Sequence, residues 1–126
     1  MYGYKKKVDL PYEDVINKVK GELQKEGFGV LTEIDVKSTL KKKLNIDFDK
    51  YVILGVCNPQ LAYKALQAEK EIGLLMPCNI IVYEDNNKVY ASAILPTVAM
   101  EMINNKELRE IAKKAEEKLK IVITRL

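Results

Sequence analysis

The chain has 126 residues, 48% of them hydrophobic and 31% charged, a balance typical of one globular domain. Its 21 Lys and Arg residues against 18 Asp and Glu give a net charge of +3, which creates no strong general attraction to nucleic acid. The absence of histidine excludes Ser-His-Asp and Cys-His nucleophile pairs and His-ligated zinc.

Hydrophobic periodicity predicts the element order β-α-β-α-β-α-β-β-α-α. With boundaries good to about 2–4 residues, the elements lie at about 2–8, 11–26, 28–35, 36–44, 51–57, 59–70, 79–84, 89–95, 98–103 and 104–122. Pro11 and Gly27 mark the start and the end of the first helix. Asn58 and Pro59 supply an N-cap and a first-turn proline to the third helix, and Asn104 begins a capping box for the last.

One apolar strand and one pair of strands decide the predicted fold class. Residues 51–57, YVILGVC, are apolar at nearly every position, which is typical of a strand covered on both faces. Residues 79–84 and 89–95 are joined by a turn of composition DNNK, which favours an antiparallel hairpin. We therefore predict a single α+β domain, residues 1–126, in which a mixed five-stranded sheet packs against helices.

The sequence contains no apolar run near the roughly 18 residues that a membrane span needs. The lysines at positions 5–7 are not followed by the apolar segment of a signal peptide. We expect a cytoplasmic protein without a membrane partner. Because two cysteines are too few for a secreted disulfide scaffold, we expect reduced thiols.

Three segments carry a resemblance to a known family: TEIDVKSTLKKKL (32–44), ILGVCNPQLAYKAL (53–66) and IGLLMPCNIIVYED (72–85). They resemble the domain-of-unknown-function family 302 of bacteria and archaea, over nearly the whole chain. Met76 stands where we expect the family's leucine, an exchange that keeps volume and apolarity. The resemblance implies an α+β fold and a homodimer, but no reaction. The positions that match its motifs are Glu33, Asp35, Lys43, Cys57, Asn58, Pro59, Pro77, Cys78 and Asn79.

Cys57 is the first candidate for a ligand or redox site. It ends a predicted strand one residue before the N-cap Asn58, where the N-terminal amides of a helix would lower the pKa of the thiol and support nucleophilic or metal-binding chemistry. The alternative is a buried cysteine that packs as a small hydrophobe.

Cys78, followed by Asn79, repeats the Cys-Asn dipeptide and suggests a thiol pair with Cys57. A helix of about 12 residues is roughly 18 Å long and would carry the chain back to the other end of the sheet. We therefore expect Cys78 to lie far from Cys57. A shared pocket would require residues 72–77 to run back across the sheet, or a second subunit to contribute.

Charged residues form two weaker candidates. Glu33 and Asp35 lie two apart on a strand and share a face, so they could act as a carboxylate pair or as partners of Lys42 or Lys43. The alternative is a charged strand edge with Asp35 as an N-cap. The lysines at 37 and 41–43 are interpreted as a solvated helix face, because the cluster has no arginine and no nucleic-acid motif, so we do not expect nucleic acid as a partner.

Two functions fit these residues. The first is a small-ligand or thiol-based, redox-responsive binding domain around Cys57 and Cys78. The second is a non-catalytic homodimeric interaction module in which both cysteines are structural. An enzyme is a third and weaker hypothesis, because without histidine its base would be a carboxylate or lysine of shifted pKa. Too few zinc ligands are present for a dedicated metal site, and no phosphate-binding loop indicates a nucleotide cofactor.

Overall fold

The computed structural model describes residues 1–126 and contains five strands. They are β1 (Gly3–Val8), β2 (Gly29–Asp35), β3 (Tyr51–Cys57), β4 (Cys78–Asp85) and β5 (Lys88–Ile94). The helices are α1 (Tyr12–Lys25), α2 (Val36–Leu44), α3 (Pro59–Ala68), α4 (Pro96–Ala99) and α5 (Lys106–Thr124), with a short 3-10 helix over Lys70–Leu75. None of the helices is both long and apolar enough to cross a bilayer.

The strands form one sheet in the order β1-β5-β4-β3-β2, and every neighbouring pair is antiparallel. The α+β class, the five strands and the hairpin are therefore confirmed. The prediction of a mixed sheet is wrong, because all pairs of strands are antiparallel. The α3 helix and the 3-10 helix together carry the chain away from the end of β3 and back to it, so β4 starts beside that end and runs in the opposite direction.

The hairpin between β4 and β5 has a two-residue loop of Asn86 and Asn87. Both have positive φ, at 52° and 64°, the backbone that a type I′ turn requires and that asparagine tolerates. The turn places Asp85 opposite Lys88, and two residues further out Tyr83 opposite Tyr90. The loop chemistry of the sequence thus determines the register of this pair of strands.

Helices α1 and α5 pack against one face of the sheet. On β3 this face carries Val52, Leu54 and Val56, all buried, whereas Ile53 between them stays half-buried on the other face. The prediction that β3 is covered on both faces is therefore wrong. The strand has apolar side chains on both faces, but α1 and α5 cover only one of them.

The helix ends follow their local signals with one shift. Gly27 has φ +78° and donates to the Gln24 carbonyl at 3.1 Å, so it terminates α1 as predicted. The cap of α5 is Asn105 instead of the predicted Asn104: its side chain accepts the Leu108 N–H at 3.0 Å. A capping side chain must precede the first helical residue, Lys106, and the predicted start lies one residue too early.

Candidate functional site

Cys57 and Cys78 lie at the same end of the sheet. In the β3–β4 ladder Val56 is the partner of Cys78, and Cys57 is the next residue along β3. The expectation that the two cysteines are far apart is therefore wrong. The reason is the return path: the chain turns back through the 3-10 helix at Lys70–Leu75 before it enters β4.

Both cysteines line one cavity of about 50 Å³. The cavity lies where β3 ends and the chain turns into α3, so the sequence neighbours Val56 and Cys57 both reach it. Of its 14 lining residues 12 are hydrophobic, which leaves little to hydrogen-bond a polar ligand. The walls from α3 and α5 are Leu61, Ala62, Ala65, Ile111, Ala112 and Ala115.

Sulfur is the distinctive element of the cavity wall. Met76 and Met100 line it together with Cys57 and Cys78. Cys78 packs against the large core between the sheet, α1 and α5, while Met76 and Met100 belong to a smaller apolar cluster beneath α3. The cavity thus lies at the junction of two hydrophobic clusters.

The thiols are free and half-buried. Burial raises the pKa of Cys57, and burial together with the nearby Cys57 thiolate raises the pKa of Cys78 to about 11. The expected lowering of the Cys57 pKa is therefore wrong. Pro59 has no N–H, and the amides of Leu61 and Ala62 already donate to Asn58 at 3.2 and 2.9 Å, so few helix amides remain to stabilise a thiolate.

Asn58 is the only wall residue with a polar amide, and both ends of that amide are used. Its Oδ1 caps α3 by accepting the Leu61 N–H at 3.2 Å, and its Nδ2 donates to the Glu26 carbonyl at 3.3 Å. Asn58 therefore fixes the start of α3 against the end of α1. Pro59 begins the helix but does not line the cavity.

The remaining candidates from the sequence lie outside the cavity. Glu33 pairs with Lys20, with Oε1 and Nζ 2.7 Å apart, and Asp35 caps α2 by accepting the Ser38 N–H at 3.0 Å. Lys43 is exposed on α2. Asn79 is exposed and lines a neighbouring surface depression that also includes Cys78 and Pro77.

A second feature, the open face of the sheet, was not predicted from the sequence. It consists of the side chains opposite α1 and α5, and its apolar members are Ile34, Ile53, Ile81, Ile94, Tyr51, Tyr83 and Tyr90. The tyrosines stack across three strands, with ring centroids 5.5 Å apart for Tyr51 and Tyr83 and 5.3 Å for Tyr83 and Tyr90. All seven keep part of their surface in solvent, and Ile34 is 48% exposed.

The sequence matches a family model described as "Domain of unknown function DUF302" over residues 4–126. The chain belongs to the DUF302 family. The crystal structure of an uncharacterized conserved DUF302 protein from Bacillus stearothermophilus is similar to this chain, with 34% identity and a TM-score of 0.94 over 99% of this chain and 98% of the other. No curated protein matches the sequence. Because the DUF302 family has no assigned function, the function of this member must be inferred from its geometry.

Proposed function

We propose that this DUF302 protein binds a small ligand in the cavity between Cys57 and Cys78. The observation that carries the proposal is the convergence of both cysteines, from two strands, on one apolar cavity. Structural cysteines can pack anywhere in a core as small hydrophobes. Two thiols that meet at one unfilled space, at the end of a sheet, favour a binding site over a purely structural role.

The cavity limits the size and polarity of the ligand. Its volume of about 50 Å³ is a third of the roughly 150 Å³ of an engineered cavity that admits benzene. The ligand is therefore an ion or a molecule of a few non-hydrogen atoms. Since the Asn58 amide is occupied at both ends, the ligand interacts mainly with sulfur and hydrocarbon. The proposal requires reduced thiols, the state maintained in the cytoplasm.

Size-selective thiol modification tests the proposal. The native protein is treated with methyl methanethiosulfonate or with a bulky aromatic maleimide, and the modified cysteine is identified by peptide mass spectrometry. The first reagent adds only a methylthio group, as a mixed disulfide, and releases methanesulfinate. For each reagent, the rate of reaction with the native protein is divided by its rate in denaturant. We expect this ratio, at Cys57 and at Cys78, to be at least about tenfold higher for the small reagent than for the maleimide. Cys57→Ser and Cys78→Ser assign the two sites. Thiols that react with either reagent only at the rate of global unfolding would contradict the proposal.

The open face supports a second, compatible function, association with another copy of the chain. Sheets bury apolar faces against other sheets at a separation of about 10 Å. A second copy related by a twofold axis supplies a face of identical composition, so its isoleucine and tyrosine rows can pack against the same rows here. The observation that favours this function is the partly exposed stack of Tyr51, Tyr83 and Tyr90 beside Ile53 and Ile81, on the face opposite α1 and α5.

A further inference from the structure

The sulfur atoms of this chain are concentrated at the cavity. Both of its cysteines line the cavity, and so do Met76 and Met100. The other two methionines, Met1 and Met102, are 97% and 80% exposed. Every methionine with a buried or half-buried side chain therefore lines the same cavity as the two thiols.

Thiolate and thioether sulfur are soft ligands that select soft metal ions. Zinc instead uses thiolate, imidazole and carboxylate, and the structure contains no group of three or more such residues that could hold a metal. No carboxylate or lysine lines the cavity, so it offers nothing to hard ions such as Mg²⁺ or Ca²⁺. We propose that the cavity binds a soft monovalent metal ion, Cu(I) in the cell, through Cys57, Cys78, Met76 and Met100. This inference rests on the proposed function of the cavity as a small-ligand site.

The charge and proton balance of binding is simple. Two S–H bonds break, two metal–sulfur bonds form, and both protons pass to solvent, while the thioethers remain neutral and the metal keeps its oxidation state. The two thiolates and the monovalent ion together carry one negative charge. Because binding releases two protons, the affinity for the ion should rise with pH.

The test uses the full, reduced chain and Ag(I), a soft monovalent ion that does not change oxidation state under these conditions. Native mass spectrometry should detect one Ag(I) per chain, and anaerobic competition with a chromophoric Cu(I) chelator should give the affinity for Cu(I). Zn(II) should not displace either ion. Cys57→Ser and Cys78→Ser should abolish binding, with circular dichroism to establish that each variant is folded.

A methionine pair supplies the matched control. Met100→Leu keeps volume and apolarity but removes a thioether from the cavity, and we expect it to weaken Cu(I) binding at least about tenfold. Met102→Leu makes the same chemical change at an exposed position and should leave the affinity unchanged. Equal affinities of the two variants, or full binding by Cys57→Ser, would overturn the inference.

The failure of this inference is distinguishable from failure of the proposed function. If Ag(I) and Cu(I) do not bind while the native thiols still react selectively with methyl methanethiosulfonate, the metal assignment is wrong and the cavity remains a site for another small ligand. If the native protein binds neither metal ion and its thiols do not react with methyl methanethiosulfonate, both proposals are wrong.

Discussion

The side-chain amide of Asn58 donates to the carbonyl oxygen of Glu26 at 3.3 Å, which joins the end of α1 to the start of α3 at the wall of the cavity. Asn105 repeats this arrangement at the other end of α3. It donates to the Ala68 carbonyl at 2.8 Å while its Oδ1 caps α5 at the Leu108 N–H. Two asparagines therefore fasten α3, and only one of them lines the cavity.

Asn58→Ala should lower the free energy of unfolding by about 1–2 kcal/mol, because it removes an N-cap and a second hydrogen bond. It should also speed the native modification of Cys57 by loosening the adjacent wall. Asn105→Ala is the matched control. It should lower the free energy of unfolding, measured by urea denaturation, by a similar amount without changing the rate of Cys57 modification. Equal rates in both variants and the wild type would show that Asn58 does not close the cavity.

Gly55→Ala should destabilise the protein by about 1–3 kcal/mol through overpacking. A Cβ atom at Gly55 would overlap the Thr32 hydroxyl and lie 2.9 Å from Cγ of Pro77, the residue that leads into Cys78. Gly21→Ala, in α1, meets no atom within 4 Å and should stabilise by about 0.5–1 kcal/mol through helix propensity. Urea denaturation measures the free energy of unfolding of both variants. A Gly55→Ala variant as stable as the wild type would refute the predicted crowding.

Stability should fall as the pH rises from 9 to 11. The thiol of Cys78 ionises near pH 9.0 when unfolded, but burial raises its folded pKa to about 11. Above pH 9 the unfolded chain loses this proton first, so a contribution of about 2 kcal/mol, fully present below pH 9, is lost across this window. Cys78→Ser, which does not titrate, should show a shallower decline in urea denaturation at each pH. If the free energy of unfolding falls equally with pH in the variant and in the wild type, the raised pKa of Cys78 is contradicted.

Ile81→Lys should dissociate the proposed homodimer. Ile81 lies in the middle of the open face, between Ile53 and Ser92 on the neighbouring strands, where a buried ammonium group would be costly. Leu74→Lys, at an 82% exposed position outside the sheet, should leave the dimer intact. Light scattering at micromolar concentration decides the matter, and a monomeric wild-type protein would refute association through this face.

Local chemistry made much of the fold predictable. Pro11 and Gly27 bracket α1, Asp35 caps α2, and the asparagines of the β4–β5 loop form the hairpin as the sequence indicates. Even the stacking of Tyr83 on Tyr90 follows from a two-residue loop, because such a loop fixes the register of both strands.

The cavity was less predictable, because it depends on how distant segments meet. Apolar residues on both faces of β3 do not reveal which face the helices cover. The 3-10 helix at Lys70–Leu75 has no strong periodic signal, yet it brings Cys78 next to the end of β3. Met100 reaches the cavity from far along the chain, so no spacing of sulfur residues in the sequence could indicate that they share a wall.

The central claim is that Cys57 and Cys78 face one apolar space that a small ligand can enter. A crystal structure determined under xenon pressure tests it most directly, because xenon enters dry apolar cavities and is visible by its electron density. We predict a xenon atom in contact with Cys57, Cys78 and Met100. A cavity without xenon, with these side chains packed against one another, would contradict the account.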